Sequence, residues 1–250
     1  MLIVIDAGNT RTKWAQVQDD GKLGDVQVTS NAALTTSALK KTLEKADKVI
    51  IANVAGESVE NQLNDMLPNS ANAIFATAQG EACQVVNSYT KKESLGVDRW
   101  AAVVAAWQMN KQPTIVINAG TAITIDALSR DKASKKGIYL GGGIMPGLQL
   151  MYHSLAESTA QLPSERTGIF SVFPANTQDA ILTGCMNAVV GAVVLQLKQL
   201  EKHCAFLPKI VISGGDAVKI SEALTPQLRR VIIVENLVLH GLALLEKEYV

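Results

Sequence analysis

Short runs of β-branched and other apolar residues recur along the chain, and each run ends at a turn-forming residue. The first is followed by Asp6-Ala7-Gly8-Asn9, and the third by Asn118-Ala119-Gly120. Unbroken apolar runs of this kind are typical of strands that are covered on both faces. The predicted strands are residues 2–5, 49–52, 114–117, 210–212 and 231–234.

Longer segments between these runs carry apolar residues spaced by three or four positions. This spacing places apolar side chains on one face of a helix. The predicted helices are residues 32–45, 100–109, 148–156, 177–202 and 236–247. Strands that alternate with helices indicate an α/β protein with mixed sheets.

Two segments repeat one pattern. Residues 3–10 resemble residues 116–121, and alternating residues follow both. Each therefore predicts a β-hairpin whose tight turn carries glycine and a hydroxyl group. We expect two related α/β units that meet near Lys111-Gln112-Pro113, giving domains at residues 1–112 and 113–250.

The composition describes a compact globular protein. Hydrophobic residues make up 48% and charged residues 18% of the chain, which excludes wholesale disorder. Lysine plus arginine and aspartate plus glutamate both number 23, so the formal net charge is zero. Because nucleic-acid binding normally requires a basic excess, we expect no nucleic-acid partner.

The cysteines and the N-terminus indicate a cytoplasmic protein without a membrane segment. The three cysteines have no C-x-x-C spacing, so neither a disulfide framework nor a zinc knuckle is predicted. The N-terminal apolar run is too short for a signal peptide, and we expect no stretch that approaches the roughly 20 apolar residues needed to span a bilayer.

The turn after the first strand has the residues of a phosphate site. Its backbone amides, with Thr10 and Lys13, can hold phosphate oxygens, and Asp6 can hold a hydrated Mg²⁺. An ordinary hairpin turn with solvated polar residues is the alternative. Neither a Walker motif nor a strand-linked G-x-G-x-x-G is present, so P-loop and Rossmann binding are not supported.

Glycine-containing turns recur in the second half of the chain. The turn at 118–121 either joins the first in holding a polyphosphate or is a relic of duplication. The glycine cluster at 141–147 allows close backbone approach to a ligand or to a neighbouring chain. Ser213-Gly214-Gly215 offers bare backbone on which a nucleotide base and ribose can lie.

Gly96-Val97-Asp98-Arg99 stands where a loop enters a predicted helix. Helix N-terminal amides support an anion at such a place. In the functional interpretation, Asp98 accepts the proton of a substrate hydroxyl, and Arg99 pairs with an anionic part of the substrate. In the structural alternative, Asp98 is only the N-cap of the helix.

In this order, these motifs resemble those of type III pantothenate kinases, members of the actin-like ATPase superfamily. The resemblance runs almost from end to end, through residues 6–13, 96–99, 118–126, 141–147, 159–163, 176–184 and 213–215. It implies an α/β fold of two ribonuclease-H-like domains with mixed sheets and an ATP cleft between them. The implied activity is ATP-dependent phosphorylation of pantothenate to 4′-phosphopantothenate, the first step of coenzyme A biosynthesis.

The resemblance also implies a role for individual residues. Asp98 is the general base, and Asp6 binds Mg²⁺. The implied contacts of ATP are Asp6, Ala7, Gly8, Asn9, Thr10, Arg11, Thr12, Lys13 and Thr121. The implied contacts of pantothenate are Tyr89, Gly96, Val97, Asp98, Arg99 and Thr177. The family is homodimeric, and we expect the helix at 177–202 to form much of that interface.

One position departs from the family. Asn118 stands where the family has an aspartate that ligates an activating monovalent cation, K⁺ or NH₄⁺. An amide offers a carbonyl oxygen but no charge, so we expect the dependence on this cation to be weakened or lost.

Two other functions stay open. One is a kinase of the same superfamily that acts on another small metabolite. The other is a non-catalytic regulator. This function would not explain why Asp6, Lys13 and Asp98 occur together.

Overall fold

The computed structural model of the chain describes residues 1–158, 168–204, 206–225, 228 and 231–249. It divides into two compact units. Unit 1 comprises Met1–Lys111, Asp131–Tyr139 and Asn236–Val250, and unit 2 comprises Gln112–Arg130 and Leu140–Glu235.

The elements follow one another as strands and helices in alternation, as the apolar pattern predicts. The strands of the described residues are β1 (Leu2–Ala7), β2 (Arg11–Val17), β3 (Gln27–Ser30), β4 (Lys48–Asn53), β5 (Asn72–Phe75), β6 (Glu81–Ala82), β7 (Val85–Asn87), β8 (Thr114–Ala119), β9 (Ala122–Arg130), β10 (Gly137–Pro146), β11 (Lys209–Ser213) and β12 (Val231–Ile233). The α-helices are α1 (Leu39–Leu43), α2 (Glu57–Met66), α3 (Val97–Asn110), α4 (Leu148–Ser158), α5 (Thr177–Cys204), α6 (Ala217–Leu224) and α7 (Leu237–Leu245). Short 3₁₀ helices occur at Asn31–Thr36, Lys92–Ser94 and Glu246–Glu248.

The main sheet of unit 1 is mixed and has the strand order β3-β2-β1-β4-β5. Strands β1 to β3 pair antiparallel, whereas β4 runs parallel to β1 and β5. Ile3 and Ile5 pack into one core cluster, and the alternating Val4 is also fully buried. Both faces of β1 are therefore covered, as its unbroken apolar run predicts.

Unit 2 repeats this plan. Its strand order β10-β9-β8-β11-β12 matches that of unit 1, with β8 and β9 antiparallel and β8, β11 and β12 parallel. The helix α5 supplies Val189, Val193 and Leu197 to the core that covers β8. The predicted α/β class with mixed sheets is thus confirmed, and the predicted duplication is present in the strand order.

The units differ from the predicted domain boundaries at the C-terminus. Helix α7 groups with unit 1, because it packs against α3 and β1, whereas the sequence placed residues 236–250 in the second domain. The residues 131–139 also group with unit 1, where Gly137–Tyr139 of β10 pair with β7. As a boundary between folding domains, 112/113 stays a prediction.

One helix prediction fails and one helix was not predicted, both for local reasons. The helix predicted at 32–45 is broken into the 3₁₀ turn Asn31–Thr36 and the short α1. Ser37 separates them, since its hydroxyl donates to the Leu34 carbonyl at 2.6 Å and accepts from the Leu39 amide at 3.3 Å. Helix α2 was missed because its residues are largely polar, with only Val59, Leu63 and Met66 buried.

The expectation that no segment has the length and apolarity of a membrane span was wrong for α5. By length and composition alone, Thr177–Cys204 is long and apolar enough to cross a bilayer. Polar residues interrupt its apolar runs, so a count of uninterrupted apolar residues overlooks it. The core helix of a soluble protein meets the same criterion, and α5 packs into the core of unit 2.

Helices α3 and α7 cross in very close contact. A Cβ atom added to Gly241 of α7 would lie 1.9 Å from the carbonyl oxygen of Ala101 in α3. Backbones can approach this closely only where one residue has no side chain. Gly241 therefore sets the distance between the two helices.

Replacing Gly241 with alanine should lower the free energy of unfolding by roughly 2–3 kcal/mol, because overpacking forces the helices apart. Urea unfolding of Gly241→Ala measures the loss. Gly80→Ala is the matched control, since a Cβ there meets only the flexible side chain of Lys92 at 3.9 Å. Equal midpoints for the two variants would contradict the close crossing.

Candidate active site

The β1–β2 hairpin of unit 1 presents an acid and a base side by side. Asp6 lies directly opposite Lys13 in the antiparallel pair, so their side chains share one face of the hairpin. The turn between them is closed by a hydrogen bond from the Gly8 amide to the Arg11 carbonyl at 3.1 Å. The predicted phosphate turn is therefore a tight hairpin with Asp6 and Lys13 at its base.

Asn31, which follows β3, holds this turn in place. Its side-chain amide donates to the carbonyls of Gly8 at 2.8 Å and Asn9 at 3.1 Å. Its carbonyl oxygen accepts the hydroxyl of the buried Thr12 at 2.9 Å. One side chain thus fixes the backbone on both sides of the turn, and the Thr12 hydroxyl serves the fold.

The remaining residues of the predicted phosphate segment differ in exposure. Ala7 is buried at the end of β1, whereas Asn9, Thr10 and Arg11 are exposed at the turn. The exposed residues are accessible to a ligand, and Ala7 can contribute only through its backbone.

Asp98 lies in the first turn of α3. Gly96 is the N-cap of this helix, so the alternative that made Asp98 the N-cap was wrong. The Asp98 carboxylate accepts the Arg99 amide at 2.8 Å and lies over Gly96, where a Cβ would come within 2.7 Å of its oxygen. Glycine at 96 thus makes room for the carboxylate.

The carboxylates of Asp6 and Asp98 interact electrostatically. The pKa of Asp6 is raised from its ordinary 3.8 to about 7: burial is the largest cause, the charge of Asp98 adds to it, and Lys13 offsets it in part. Unit 1 therefore brings both Lys13 and Asp98 within electrostatic reach of Asp6. A site with two neighbouring carboxylates and a single lysine attracts a further cation.

Arg99 is buried and held by two tyrosines. Its guanidinium donates to the hydroxyl of Tyr89 at 3.0 Å and to that of Tyr139 at 2.9 Å. The two rings lie 5.6 Å apart, and Arg99 stands over the ring of Tyr89 at 5.9 Å. The structure thus brings the predicted substrate residues Tyr89 and Arg99 together, beside the buried Tyr139.

In unit 2, the β8–β9 turn is shaped by glycines from other segments. A Cβ at Gly147 would meet the Gly120 carbonyl at 2.2 Å, and one at Gly214 would meet the Ala119 carbonyl at 2.3 Å. Gly214 also has φ +106°, which favours glycine. At these two positions, neighbouring backbone fills the space that a side chain would occupy.

Asn118 and Thr121 stand on this second hairpin. Asn118 lies directly opposite Thr124, and Thr121 is exposed in the turn. The hydroxyl oxygen of Thr124 is buried and has no hydrogen-bond partner among the described residues. Two neutral oxygen donors therefore share one face of the hairpin.

Thr177 begins α5 and is exposed. The preceding Asn176 caps the helix, since its side-chain oxygen accepts the Asp179 amide at 2.9 Å. Thr177 also lines a largely apolar cavity of about 580 Å³ with residues of α4 and α5. The motif predicted at 159–163 lies outside the described residues.

Three residues at these sites were not found from the sequence. Asn31 holds the phosphate turn, and Tyr139 holds Arg99. The side-chain oxygen of Asn236 accepts a hydrogen bond from the Lys13 ammonium at 3.2 Å. Tyr139 stands close before the glycine cluster, which is a weak signal. For the two asparagines, no sequence pattern marks the contact.

A cavity of about 600 Å³ in unit 1 is lined by the ends of β1, β2, α3 and α7, with His240 on its wall. None of the predicted site residues lines it. The candidate site therefore rests on side chains and not on cavity size.

At pH 8, and with neither nucleotide nor metal bound, Asp6→Asn should raise the free energy of unfolding. Because the pKa of Asp6 is about 7 when folded and 3.8 ordinarily, the folded state binds a proton between these values, so stability falls as pH rises from 4 to 7. Removing the carboxyl should restore on the order of 2–4 kcal/mol at pH 8. The gain should vanish near pH 4.

Thermal melts of both proteins in a chelator, from pH 4 to 8, measure this difference. Asp19→Asn, at an exposed position of the same unit, is the control and should leave each melting temperature unchanged. An Asp6→Asn protein no more stable than the wild type at pH 8 would contradict the prediction.

The chain is similar in sequence to known proteins of one family. A sequence model of the type III pantothenate kinase family matches residues 2–199. A type III pantothenate kinase from Methylobacillus flagellatus is 39% identical over 254 residues, which cover 98% of each chain.

Two solved structures share the fold. A Baf family transcriptional activator from Campylobacter jejuni has a TM-score of 0.60 at 21% identity, covering 99% of this chain and 98% of that one. A protein described as a 2-dehydro-3-deoxygalactonokinase from Sinorhizobium meliloti has a TM-score of 0.58 at 11% identity, covering 100% and 99%. At these identities the likeness shows the fold alone. The match to the family model and the identity over almost the whole length establish that the chain belongs to the type III pantothenate kinase family.

Proposed function

We propose that the chain transfers the γ-phosphoryl group of ATP to the terminal hydroxyl of pantothenate, giving 4′-phosphopantothenate for coenzyme A synthesis. One observation supports this function at the level of the residues. In a chain of this family, unit 1 brings both Lys13 and Asp98 within electrostatic reach of Asp6, at the end of a glycine-containing hairpin. Phosphoryl transfer requires positioning and charge neutralisation more than covalent catalysis.

Asp98 is the proposed general base. The substrate hydroxyl oxygen attacks the γ-phosphorus, the bond to the leaving ADP oxygen breaks, and the hydroxyl proton passes to Asp98. Aspartate is a weak base near neutral pH, but it suffices when the proton leaves late in a loose transition state. The bond from the Arg99 amide and the close contact with Gly96 hold the carboxylate in one orientation.

Arg99 is the proposed partner of the pantothenate carboxylate. A guanidinium offers donors in a planar fork that matches a carboxylate. Its bonds to the hydroxyls of Tyr89 and Tyr139 fix the plane of that fork before substrate binds. Contacts of pantothenate with Gly96, Val97 and Thr177 stay predictions.

The β1–β2 hairpin is the proposed phosphate site, with Lys13 on the phosphate oxygens. Asp6 fits Mg²⁺, because burial and the neighbouring carboxylate both raise its pKa and so disfavour its charged form. A bound cation would favour the charged form again. Mg²⁺ is commonly held by one or two carboxylates together with phosphates and water. When bound, it would neutralise charge on the phosphates. A contact of Thr121 with ATP stays a prediction.

The residues around Asn118 fit an activating monovalent cation poorly. Asn118 and Thr124 supply neutral oxygens on one face of the second hairpin, and the family's carboxylate is missing at 118. Two dipoles hold a cation less strongly than a formal charge at the same position.

A homodimer stays a prediction that the surface of unit 2 supports. Several large apolar side chains next to α5 are exposed, among them Ile169 at 75%, Val172 at 73% and Phe173 at 89%. Exposed apolar patches of this kind mark interaction surfaces. Cytoplasmic location and the absence of nucleic-acid and membrane partners also stay predictions.

The purified protein should phosphorylate pantothenate in a coupled ADP-release assay with ATP and Mg²⁺, and Asp98→Asn should lower kcat by roughly 10² or more, the scale for a positioned base. ATP binding should change little, because Asp98 is not assigned to the phosphates. Failure of the wild type with pantothenate but activity with another small hydroxyl compound would point to the alternative metabolite kinase. A variant with unchanged kcat would remove Asp98 from the mechanism.

Potassium should stimulate the wild-type enzyme weakly or not at all, since Asn118 carries no charge. Asn118→Asp should gain stimulation, because it restores a carboxylate beside Thr124. Titration with KCl against a bulky organic-cation chloride at equal ionic strength measures the effect. Strong stimulation of the wild type at low millimolar KCl would refute the prediction.

A further inference from the structure

Lys13 is joined to a residue near the other end of the chain. Its ammonium donates to the side-chain oxygen of Asn236 at 3.2 Å, across 223 positions of sequence. We propose that Asn236 is a positioning residue that holds the Lys13 ammonium for ATP phosphates. This inference rests on the proposed function, which assigns the phosphates to Lys13.

The backbone of Asn236 is specialised for this contact. Asn236 is the N-cap of α7 but has left-handed φ 52° and ψ 39°, and its side chain makes no capping bond. Asparagine at an N-cap normally accepts an amide from the first helical turn. Here only its backbone carbonyl serves the helix, accepting the His240 amide at 3.2 Å. The side-chain oxygen is left for Lys13.

Asparagine also suits the left-handed conformation, which most residues with a side chain avoid. Glycine would satisfy the backbone as well, but it has no oxygen to offer. The residue type therefore matches the backbone conformation and the contact together.

The neutral acceptor leaves the charge of Lys13 available. Asp6 lies directly opposite Lys13, and the lysine offsets part of the rise in the pKa of Asp6, so the ammonium already has one acidic neighbour. A second carboxylate would pair with the ammonium and repel phosphate. An amide orients the ammonium by one hydrogen bond and leaves donors for phosphate oxygens. It also reduces the side-chain freedom that a lysine loses on binding a ligand.

Two substitutions separate this function from a structural one. Asn236→Gly keeps the left-handed backbone and removes the acceptor. Asn236→Asp keeps a similar shape and adds a carboxylate next to Lys13. If Asn236 served the turn alone, both variants would behave as the wild type, because glycine and aspartate both tolerate this conformation.

We expect Asn236→Gly to raise the KM for ATP and the dissociation constant of a non-hydrolysable Mg²⁺–ATP analogue about 10-fold, the scale for losing a hydrogen bond to a charged group. The KM for pantothenate should stay within about two-fold, given that ordinary context effects reach this size. Asn236→Asp should weaken ATP at least as much. Calorimetry gives the dissociation constant independently of turnover.

A double-mutant cycle tests whether the effect passes through Lys13. In a Lys13→Ala background, Asn236→Gly should cause no further loss of ATP affinity, because the partner is already gone. Lys135→Gly is the matched control, since Lys135 also has a left-handed backbone, φ 62°, in unit 1 and belongs to no proposed site. It should bind ATP as the wild type does.

The outcomes are distinct. Unchanged ATP affinity in Asn236→Gly, losses that add to those of Lys13→Ala, or equal increases of both KM values would each overturn the inference. A wild type that binds the ATP analogue but does not phosphorylate pantothenate would remove the proposed function, while the cycle still decides whether Asn236 positions Lys13. A wild type that does not bind the analogue would overturn both.

Discussion

The candidate site in unit 1 depends on the crossing of α3 and α7. Gly241 lets the two backbones approach until its Cα faces the carbonyl of Ala101. The N-terminal turn of α3 holds Asp98 and Arg99, and the N-cap of α7 is Asn236, which contacts Lys13. At Gly241 the two backbones are in direct contact with no side chain between them, and tight packing of this kind leaves little room for movement. The groups at the N-termini of the helices therefore keep their places relative to the β1–β2 hairpin.

The electrostatics of the candidate site in unit 1 follow from the positions of Asp98 and Lys13 relative to Asp6. Asp6 is raised in pKa by burial and by Asp98, and a single lysine from the facing strand lowers it only in part. Such a carboxylate binds protons more tightly than a solvated one when no other cation is near. This imbalance is the basis on which we propose Asp6 as a Mg²⁺ ligand. A site of this kind needs no nucleophilic cysteine or histidine, because alignment and charge supply the catalysis.

The sequence was sufficient for features that are local. Unbroken apolar runs predict β1, β4, β8 and β11 within two residues at each end, because burial on both faces leaves no polar positions. Breaks that depend on one side chain are harder, as Ser37 shows by ending the predicted helix with its hydroxyl. Tertiary packing is also beyond local patterns: α7 lies at the end of the chain but packs against α3 and β1 of unit 1.

The same distinction holds for the site. Asp6 and Asp98 stand beside glycines within their own motifs, so chemistry and spacing occur together in the sequence. Asn31 and Asn236 reach the hairpin only through the folded chain, and an asparagine by itself is a common turn residue. Residues that orient a functional group through tertiary contact therefore need coordinates to be found.

The two related hairpins carry different side chains at matching positions. In the first, Asp6 faces Lys13, and a polar side chain, Asn31, holds the turn. In the second, Asn118 faces Thr124, and the glycine backbones at 147 and 214 close on the turn. The first hairpin has charge, and side-chain hydrogen bonds hold its turn. The second is neutral at these positions, and its turn is held by backbone hydrogen bonds from Gly147 and Asp216 and by close packing. Because the strand order is the same in both units, the difference in charge comes from side chains at matching positions and not from the fold.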